Sequence, residues 1–291
     1  MTTVLVNHPV ASLPGQAGGS GPSPALWGAV TPNMHPHDYI KDDFRCFDGL
    51  VASNVGRYAS EGGAYRSYED TGCSIAALAT NHRGVIRVTT SGTDNHEATL
   101  QAGNATGVCA RFTDTAGSRE KVLFETRVAF TSVANTILGV FVGLAEETRA
   151  VADGVITDAG ALADIDLIGF FRAEGDGDDL DIVLQKSGGG LITVLANALA
   201  SDALSPISAL TAGEFVKLGF RYNYHHQDGP RIEFFVNGVK LQTVYELTNG
   251  AFVATFPDGE ELAPIWSCKN AVAGASSFDI DRWDLYQERL D

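Results

Sequence analysis

Period-two alternation is the feature that most restricts what this chain can fold into. VLFETRVAF (residues 122–130) sets Val122, Phe124, Val128 and Phe130 against Leu123, Glu125 and Arg127. FVKLGFRYNY (215–224) sets Val216, Leu218, Phe220 and Tyr222 against Lys217, Arg221 and Asn223. Side chains change face at every step of a strand, so such text gives a sheet one buried face. Further strands are expected in GVIRVTTS, HEATLQA, ILGVFVGLAE, DLIGFFRA, LDIVLQK, LITVLAN, RIEFFV, VKLQTVYE and SFDIDRWDLYQ. Between them stand Gly92-Thr93-Asp94-Asn95, Gly175-Asp176-Gly177-Asp178, Gly188-Gly189-Gly190 and Asn237-Gly238, residue types that accept turn dihedrals. Many short strands at regular spacing predict an all-β, antiparallel jelly-roll β-sandwich. EETRAVADGVITDAGALAD (146–164) is Ala-rich but interrupted by Gly154 and Gly160, which predicts a loop with at most a short helix.

The first 40 residues read differently. Six of the ten prolines fall within residues 1–36, beside GQAGGSGPSPALWG. Proline removes backbone donors and glycine raises the entropy cost of ordering, so neither a helix nor a central strand is expected there. Val4, Leu5, Val6, Leu13, Leu26, Trp27 and Met34 are spaced apolar anchors that a purely solvating linker would lack. The division expected is an extended arm over 1–40, which seats on a partner, and a sandwich over 41–291.

The charge excludes one class of ligand. Lys and Arg number 20 against 36 Asp and Glu, a net charge of −16, and no basic cluster interrupts it. Phosphates would be repelled, so no nucleic acid partner is expected. No apolar run approaches the ~20 residues of a membrane helix, and MTTVLVNHPVASLPG lacks a basic, then apolar, signal pattern. Cys46, Cys73, Cys109 and Cys268 are scattered without a C-x-x-C, which predicts free buried thiols and neither a disulfide framework nor a zinc site.

Four stretches could carry chemistry. RYNYHHQDGPRIEFFVNGV (221–239) contains His225, His226 and Asp228, but neighbouring strand residues face opposite ways and cannot readily share one metal. Asp228-Gly229-Pro230 and Asn237-Gly238 supply turn chemistry, so three consecutive antiparallel strands are expected. EGDGDDLD (174–181) is acidic, yet from Asp176 an EF-hand register puts Leu180 at the fifth position and Asp181 where Gly is needed. A solvated tip is expected, with a calcium site of another kind as the alternative.

FDIDRWD (278–284) places Asp279 and Asp281 two apart, with Asp284 beyond. Jelly-roll glucanases use such pairs because retaining chemistry needs carboxyls ~5 Å apart, but they include a Glu, which is absent here. Exposed polar residues between buried Phe278 and Ile280 are the simpler account, and DID at 164–166 carries less still. TDNHEATLQ (93–101) gathers Asp94, Asn95, His96 and Glu97 at a turn and strand start, with a sugar or metal contact as the alternative. No G-x-S-x-G, G-x-x-x-x-G-K-[ST] or helix-opening G-x-G-x-x-G is present. The expectation is a protein that is not an enzyme, with no cofactor and no metal.

Taken together, FETRVAF, FVGLAEE, LIGFFRAEGDGDDL, VKLGFRYN, RIEFFVNGVKL and the closing FDIDRWDLYQ resemble a concanavalin A-like, laminin-G-like jelly roll. The version is similar to one found among virion proteins of tailed bacteriophages and spans roughly residues 40–291. That resemblance implies a structural role, with head decoration (cementing of the capsid exterior, after assembly in the host cytoplasm) the foremost use. It implies the major capsid protein and neighbouring copies of this chain as partners, with a homo-oligomer, by shell symmetry a trimer. The alternative it implies is a lectin-like module on a head or tail fibre, in which Tyr222, Tyr224 and Trp283 would stack on sugars.

Overall fold

The computed structural model describes residues 26, 37–42, 55–56, 65–78, 84–103, 110–112, 121–134, 139–147, 149, 154–175, 177–224, 226, 229–247, 255–257, 259–270 and 274–288. In chain order the strands are β1 (His37–Asp42), β2 (Val55–Gly56), β3 (Tyr65–Glu69), β4 (Ser74–Ala77), β5 (Ile86–Thr89), β6 (Glu97–Ala102), β7 (Ala110–Arg111) and β8 (Lys121–Phe130). They continue as β9 (Gly139–Glu146), β10 (Leu167–Arg172), β11 (Asp181–Lys186), β12 (Gly190–Leu195), β13 (Phe215–Asn223), β14 (Arg231–Val236), β15 (Val239–Glu246), β16 (Glu261–Lys269) and β17 (Ser277–Glu288). One helical turn, α1 (Ala198–Ser201), follows β12.

The strands form two antiparallel sheets. Sheet I runs β15-β14-β13-β8-β17-β5-β4, with β1 also on β17; sheet II runs β12-β11-β10-β9-β16-β6-β3-β2, with β7 also on β16. This is the expected jelly-roll sandwich. Strands distant in sequence, such as β8 and β17, lie at its centre, which is what Greek-key connections produce. Its beginning differs from expectation: β1 pairs with β17 over its whole length, so the boundary placed between residues 40 and 41 falls inside a strand of the body.

The alternation seen in sequence decides what lies between the sheets. Val122, Phe124, Val128 and Phe130 of β8 and Val216, Leu218, Phe220 and Tyr222 of β13 all enter the shared core. Trp266 of sheet II and Trp283 of sheet I meet there with ring centroids 6.0 Å apart. Each indole N–H crosses the layer: Trp266 Nε1 donates to Thr126 Oγ1 at 3.1 Å, and Trp283 Nε1 to Tyr65 Oη at 2.6 Å. A buried N–H left without an acceptor would cost ~1–3 kcal/mol, so these bonds fix how the sheets face each other.

The turns follow their residues. Asn237 and Gly238 take φ of 47° and 78°, the paired positive values of a type I′ hairpin, and Val236 sits opposite Val239. β13, β14 and β15 are thus the expected antiparallel trio.

β16 was not expected, because Pro264 stands in its middle and proline cannot donate to a ladder. Its tolerance has a local cause. On one side β7 pairs with Glu261–Leu262 and β6 with Ile265–Lys269, so among the described residues Ala263 and Pro264 pair only with β9. The proline occupies the break between two partner strands.

Candidate functional site

The outward side of sheet I carries the candidate contact groups, most of which (Leu123, Glu125, Lys217, Glu233, Phe235, Asp284 and Tyr286) are buried within the chain itself. In β8, Leu123, Glu125 and Arg127 point away from the core; in β13, Lys217, Gly219 and Arg221; in β14, Glu233 and Phe235. β17 joins them after a change of phase. Its buried residues are Phe278 and Ile280, then Trp283 and Leu285, because Asp281 is an inserted residue between the pairs Ile280↔Val128 and Arg282↔Arg127. A bulge of this kind sets two residues opposite one and re-aims everything that follows. Arg282, Asp284 and Tyr286 therefore join the outer face.

Cross-strand register sorts these groups by charge. Asp284 lies opposite Glu125, and both are buried. Beside them Arg282 pairs with Arg127, and Arg127 with Lys217. A row of acids thus abuts a row of bases, and the rows are stitched locally. Arg282 donates to both Asp284 oxygens at 2.6 and 2.7 Å, Arg127 meets Asp281 at 2.5 Å, and Arg87 grips Asp279 at 2.6 and 2.8 Å. Glu233 accepts from Lys240 at 2.7 Å and from the Arg221 guanidinium. Burial pushes the Lys217 ammonium below the usual lysine range, partly offset by Glu125. Burial alone would raise the Glu233 carboxyl, but Lys240 and Arg221 outweigh it and hold it low.

At one end of this face lies an apolar seat. Leu123, Phe235 and Tyr286 cluster with Leu26, which is fully buried although the rest of the body begins at β1. Gly219 makes the room: a Cβ there would come within 2.9 Å of Leu26 Cδ2. Leu26, expected to be an anchor for a partner, is here seated on the chain's own sheet. Val4, Leu5, Val6, Leu13, Trp27 and Met34 lie outside the described residues.

The outer face of sheet II is closed differently. Phe141, Ala145, Leu167, Phe171, Val183 and Ile265 point outward and are covered by Val155, Ile156, Leu162 and Ile165. These covering residues come from the 146–164 segment and the next residue; after β9 its described part is helical at Arg149 and otherwise loop, with one bridge between Ile156 and Leu162. Glu97 fastens it. Its Oε1 accepts from Thr99 Oγ1 at 2.9 Å, from Ser267 Oγ and from the Val155 N–H at 2.8 Å. Oε2 has no hydrogen bond among the described residues and faces Lys269 Nζ at 3.8 Å. Lys269 in turn donates to Ile156 O at 3.0 Å and Asp158 at 2.6 Å. Burial raises the Glu97 carboxyl above its usual range, against the lowering by Ser267, Val155, Thr99 and Lys269. Gly154, at φ +69°, is required here, since a Cβ would land on the Glu97 carboxylate. Sequence pattern placed Glu97 at a strand start with a possible ligand role; the structure makes it an internal clasp.

The other expectations fare as follows. Tyr222 and Trp283, taken as possible glycan platforms, are fully buried, so neither can stack on a sugar. Tyr222 shares the parity of Val216, Leu218 and Phe220, and the Asp281 bulge turns Trp283 inward. Tyr224 is partly buried against the same core. Asp279, Asp281 and Asp284 each have an arginine partner, respectively Arg87, Arg127 and Arg282. Gly229 N–H donates to His226 O at 2.9 Å, the expected turn; His225 and Asp228 lie outside the described residues.

In the acidic loop Glu174 and Asp178 face solvent, but Asp179 turns in to accept from the N–H groups of Leu199 and Ala200 at 2.8 and 3.1 Å. Buried Arg172 donates to the loop carbonyl of Gly177. Asp164 of the DID stretch accepts from Gln185 at 2.8 Å. Cys268 is buried and free as expected, whereas Cys73 is free but only half-buried; Cys46 and Cys109 lie outside the described residues.

No family model matches the chain, and comparison with curated proteins gives no match in sequence. Solved structures do match in fold. Peanut lectin aligns at 11% identity with a TM-score of 0.52, over 88% of this chain and 99% of its own. The catalytic domain of an endo-1,3-β-glucanase (laminarinase) from Thermotoga petrophila RKU-1 aligns at 8% identity with a TM-score of 0.52, over 88% and 100%. The chain therefore has a concanavalin A-like, legume-lectin-like jelly-roll fold, a scaffold shared by sugar binders and sugar hydrolases.

Proposed function

We propose that this chain is a non-enzymatic structural protein of a tailed-phage virion, of the type that decorates and cements the capsid exterior. The observation that carries the structural role is the outer face of sheet I. It combines interlocked rows of charge with an apolar seat that already holds a residue of the N-terminal segment, Leu26. In protein contacts charge rows set register and an apolar anchor supplies desolvation; here most of these groups are already buried within the chain, so the contact they support best is one with the chain's own N-terminal segment. The virion setting is supported by the resemblance of the strand text to tailed-phage jelly rolls. Cementing then works by multivalence: a modest contact from the body and a second from the arm tie neighbouring capsomers without either being tight alone.

The test is location and reach. Purified protein should co-sediment with phage shells that lack it and raise their disruption temperature, and removal of residues 1–36 should weaken that binding at least tenfold. A protein found only in tail fractions, or shells bound equally by the truncated chain, would overturn it. The glycan-binding alternative loses two of its three aromatic platforms to the core, so a glycan array should show no binding. Intact protein is likewise expected to release no reducing sugar from β-glucans, since its strand carboxylates are arginine-bound.

A further inference from the structure

We propose that β12, the edge strand of sheet II, is a dimer interface at which two copies of this chain join their sheets edge to edge across a two-fold axis. This goes beyond the virion reading and does not depend on it. The strand and the loop that follows it lie wholly within the described residues, and three observations carry the assignment.

The first is an unguarded edge. A strand at the end of a sheet presents unpaired N–H and C=O groups, and folds protect such edges by shortness, charge or a cap. Among the described residues β2 and β7 have two residues each, β4 has four, and β1 contains Asp38, Lys41 and Asp42. β15 carries Lys240 and Glu246, and the Asp202 carboxylate caps it by accepting from the N–H groups of Gln242 and Thr243, both at 2.9 Å. β12 reads GLITVL, without charge or proline, and among the described residues it pairs only with β11. That pairing is regular from Gly190 to Thr193, and Val194 is the extra residue of a bulge near the far end.

The second is the absence of charge around that edge. Residues 187–213 contain one charged side chain, Asp202, buried against β15, whereas 19% of the whole chain is charged. β12 and β15 approach each other at this flank. The exposed large hydrophobic side chains among the described residues are Leu191 of β12, Leu204 of the loop that follows and Val239 of β15.

The third is the fit to a second copy. Two chains of net charge −16 repel one another, but residues 187–213 bring no exposed carboxylate into the contact. An antiparallel edge is also its own complement: a two-fold axis normal to the sheet lets each strand supply the N–H and C=O groups that the other lacks. Such an axis keeps outer residues opposite outer residues. Leu191 and Thr193 share the outer side with their partners Gln185 and Val183, while Ile192 shares the core side with Leu184. A register centred on Leu191 sets that residue against its copy and Gly190 against the copy's Ile192, all within the regular part of the strand. The glycine leaves room for the isoleucine.

The experiment uses full-length protein and needs no capsid, so it can fail independently of the virion proposal. Wild-type protein should sediment as a dimer when concentrated, and Leu191→Glu, which sets like charges opposite each other, should weaken that dimer at least tenfold. Leu191 is exposed in the single chain, so the dilute variant should keep the wild-type unfolding midpoint. Mixing Leu191→Glu with Leu191→Lys should restore a dimer containing one chain of each. A second readout needs no variant: amides of residues 190–193 that point away from β11 should exchange at least tenfold more slowly in concentrated than in dilute wild-type protein. Wild-type protein that stays monomeric up to several hundred micromolar would overturn the proposal. So would a dimer that Leu191→Glu leaves intact, a mixture that fails to restore pairing, or edge amides that stay unprotected in the dimer.

Discussion

On sheet II the outward residues of β9, β10 and β16 include Phe141, Phe171 and Ile265, and residues 154–165 lie over them. On sheet I the outward residues of β8, β13 and β17 are mostly charged, and the described residue that covers them from outside is Leu26. The covering of sheet II is continuous with two strands of the body, tied at both ends, and clasped by Glu97 and Lys269. The covering described on sheet I is the single residue Leu26. A cover held at both ends and clasped in the middle becomes part of the core, and its loss is expected to cost global stability.

This contrast can be broken by measurement. The largest effect is expected at Phe141→Ala, which removes a fully buried ring from the outer layer of sheet II. It should cost about 3–5 kcal/mol by urea denaturation. A loss below about 1 kcal/mol would mean that the loop is only draped on the sheet. Next comes Gly154→Ala, which puts a methyl group into the Glu97 carboxylate from a left-handed backbone. Roughly 2–4 kcal/mol should be lost, and a neutral result would show that the clasp has slack.

The third test is pH. A carboxyl whose pKa is raised by folding stabilises the folded state fully below the unfolded value of 4.5, and that contribution is lost as pH rises toward the folded pKa. Wild-type protein should therefore lose stability relative to Glu97→Gln as pH climbs from about 4.5, the window set by the reference carboxylate. Lys269 and Asp158 face the same clasp, and Asp70 accepts the Glu97 N–H, so the comparison is made within one background where they are constant. Parallel stability curves for the two proteins would dispose of the clasp as a titrating group.

Smaller effects are expected on sheet I. Leu26→Ala should change global stability by less than about 1 kcal/mol while raising amide exchange over β13 and β14 near the seat, because undocking is a local event. A cooperative global loss would make Leu26 part of the folding core. Smallest of all, Asp281→Asn removes a partly exposed ion pair with Arg127 and should cost about 0–1 kcal/mol, screened by salt.

Much of the fold was legible from alternation and turn chemistry. Eleven expected strand texts coincide with β5, β6, β8, β9, β10, β11, β12, β13, β14, β15 and β17; most bury one or both faces, while β12 and β15 turn partly buried apolar residues to the core. β16 escaped because proline normally excludes a central strand, and only the split between β6 and β7 admits it. β3 and β4, at five and four residues, are too short to show a clear alternation. Trp283 went astray although a signal was present: apolar residues at 278, 280, 283 and 285 are spaced two, three and two, the trace of a bulge. Tyr222 was misplaced against its own parity. The clasp at Glu97 had no such trace, since its partners come from residues 155 and 156, 267 and 269.

Sequence by itself determined that the chain is a sandwich of one-face-buried strands and where its hairpins turn. Those properties depend on neighbours two to four positions apart, which local sterics and hydrophobic alternation decide. Tertiary structure decided which outward groups reach solvent, which carboxylates are neutralised, and that Leu26 has a seat on sheet I. These are contacts between residues tens to hundreds of positions apart, such as Leu26 with Phe235 or Arg87 with Asp279, and only the packing of the sheets brings them together.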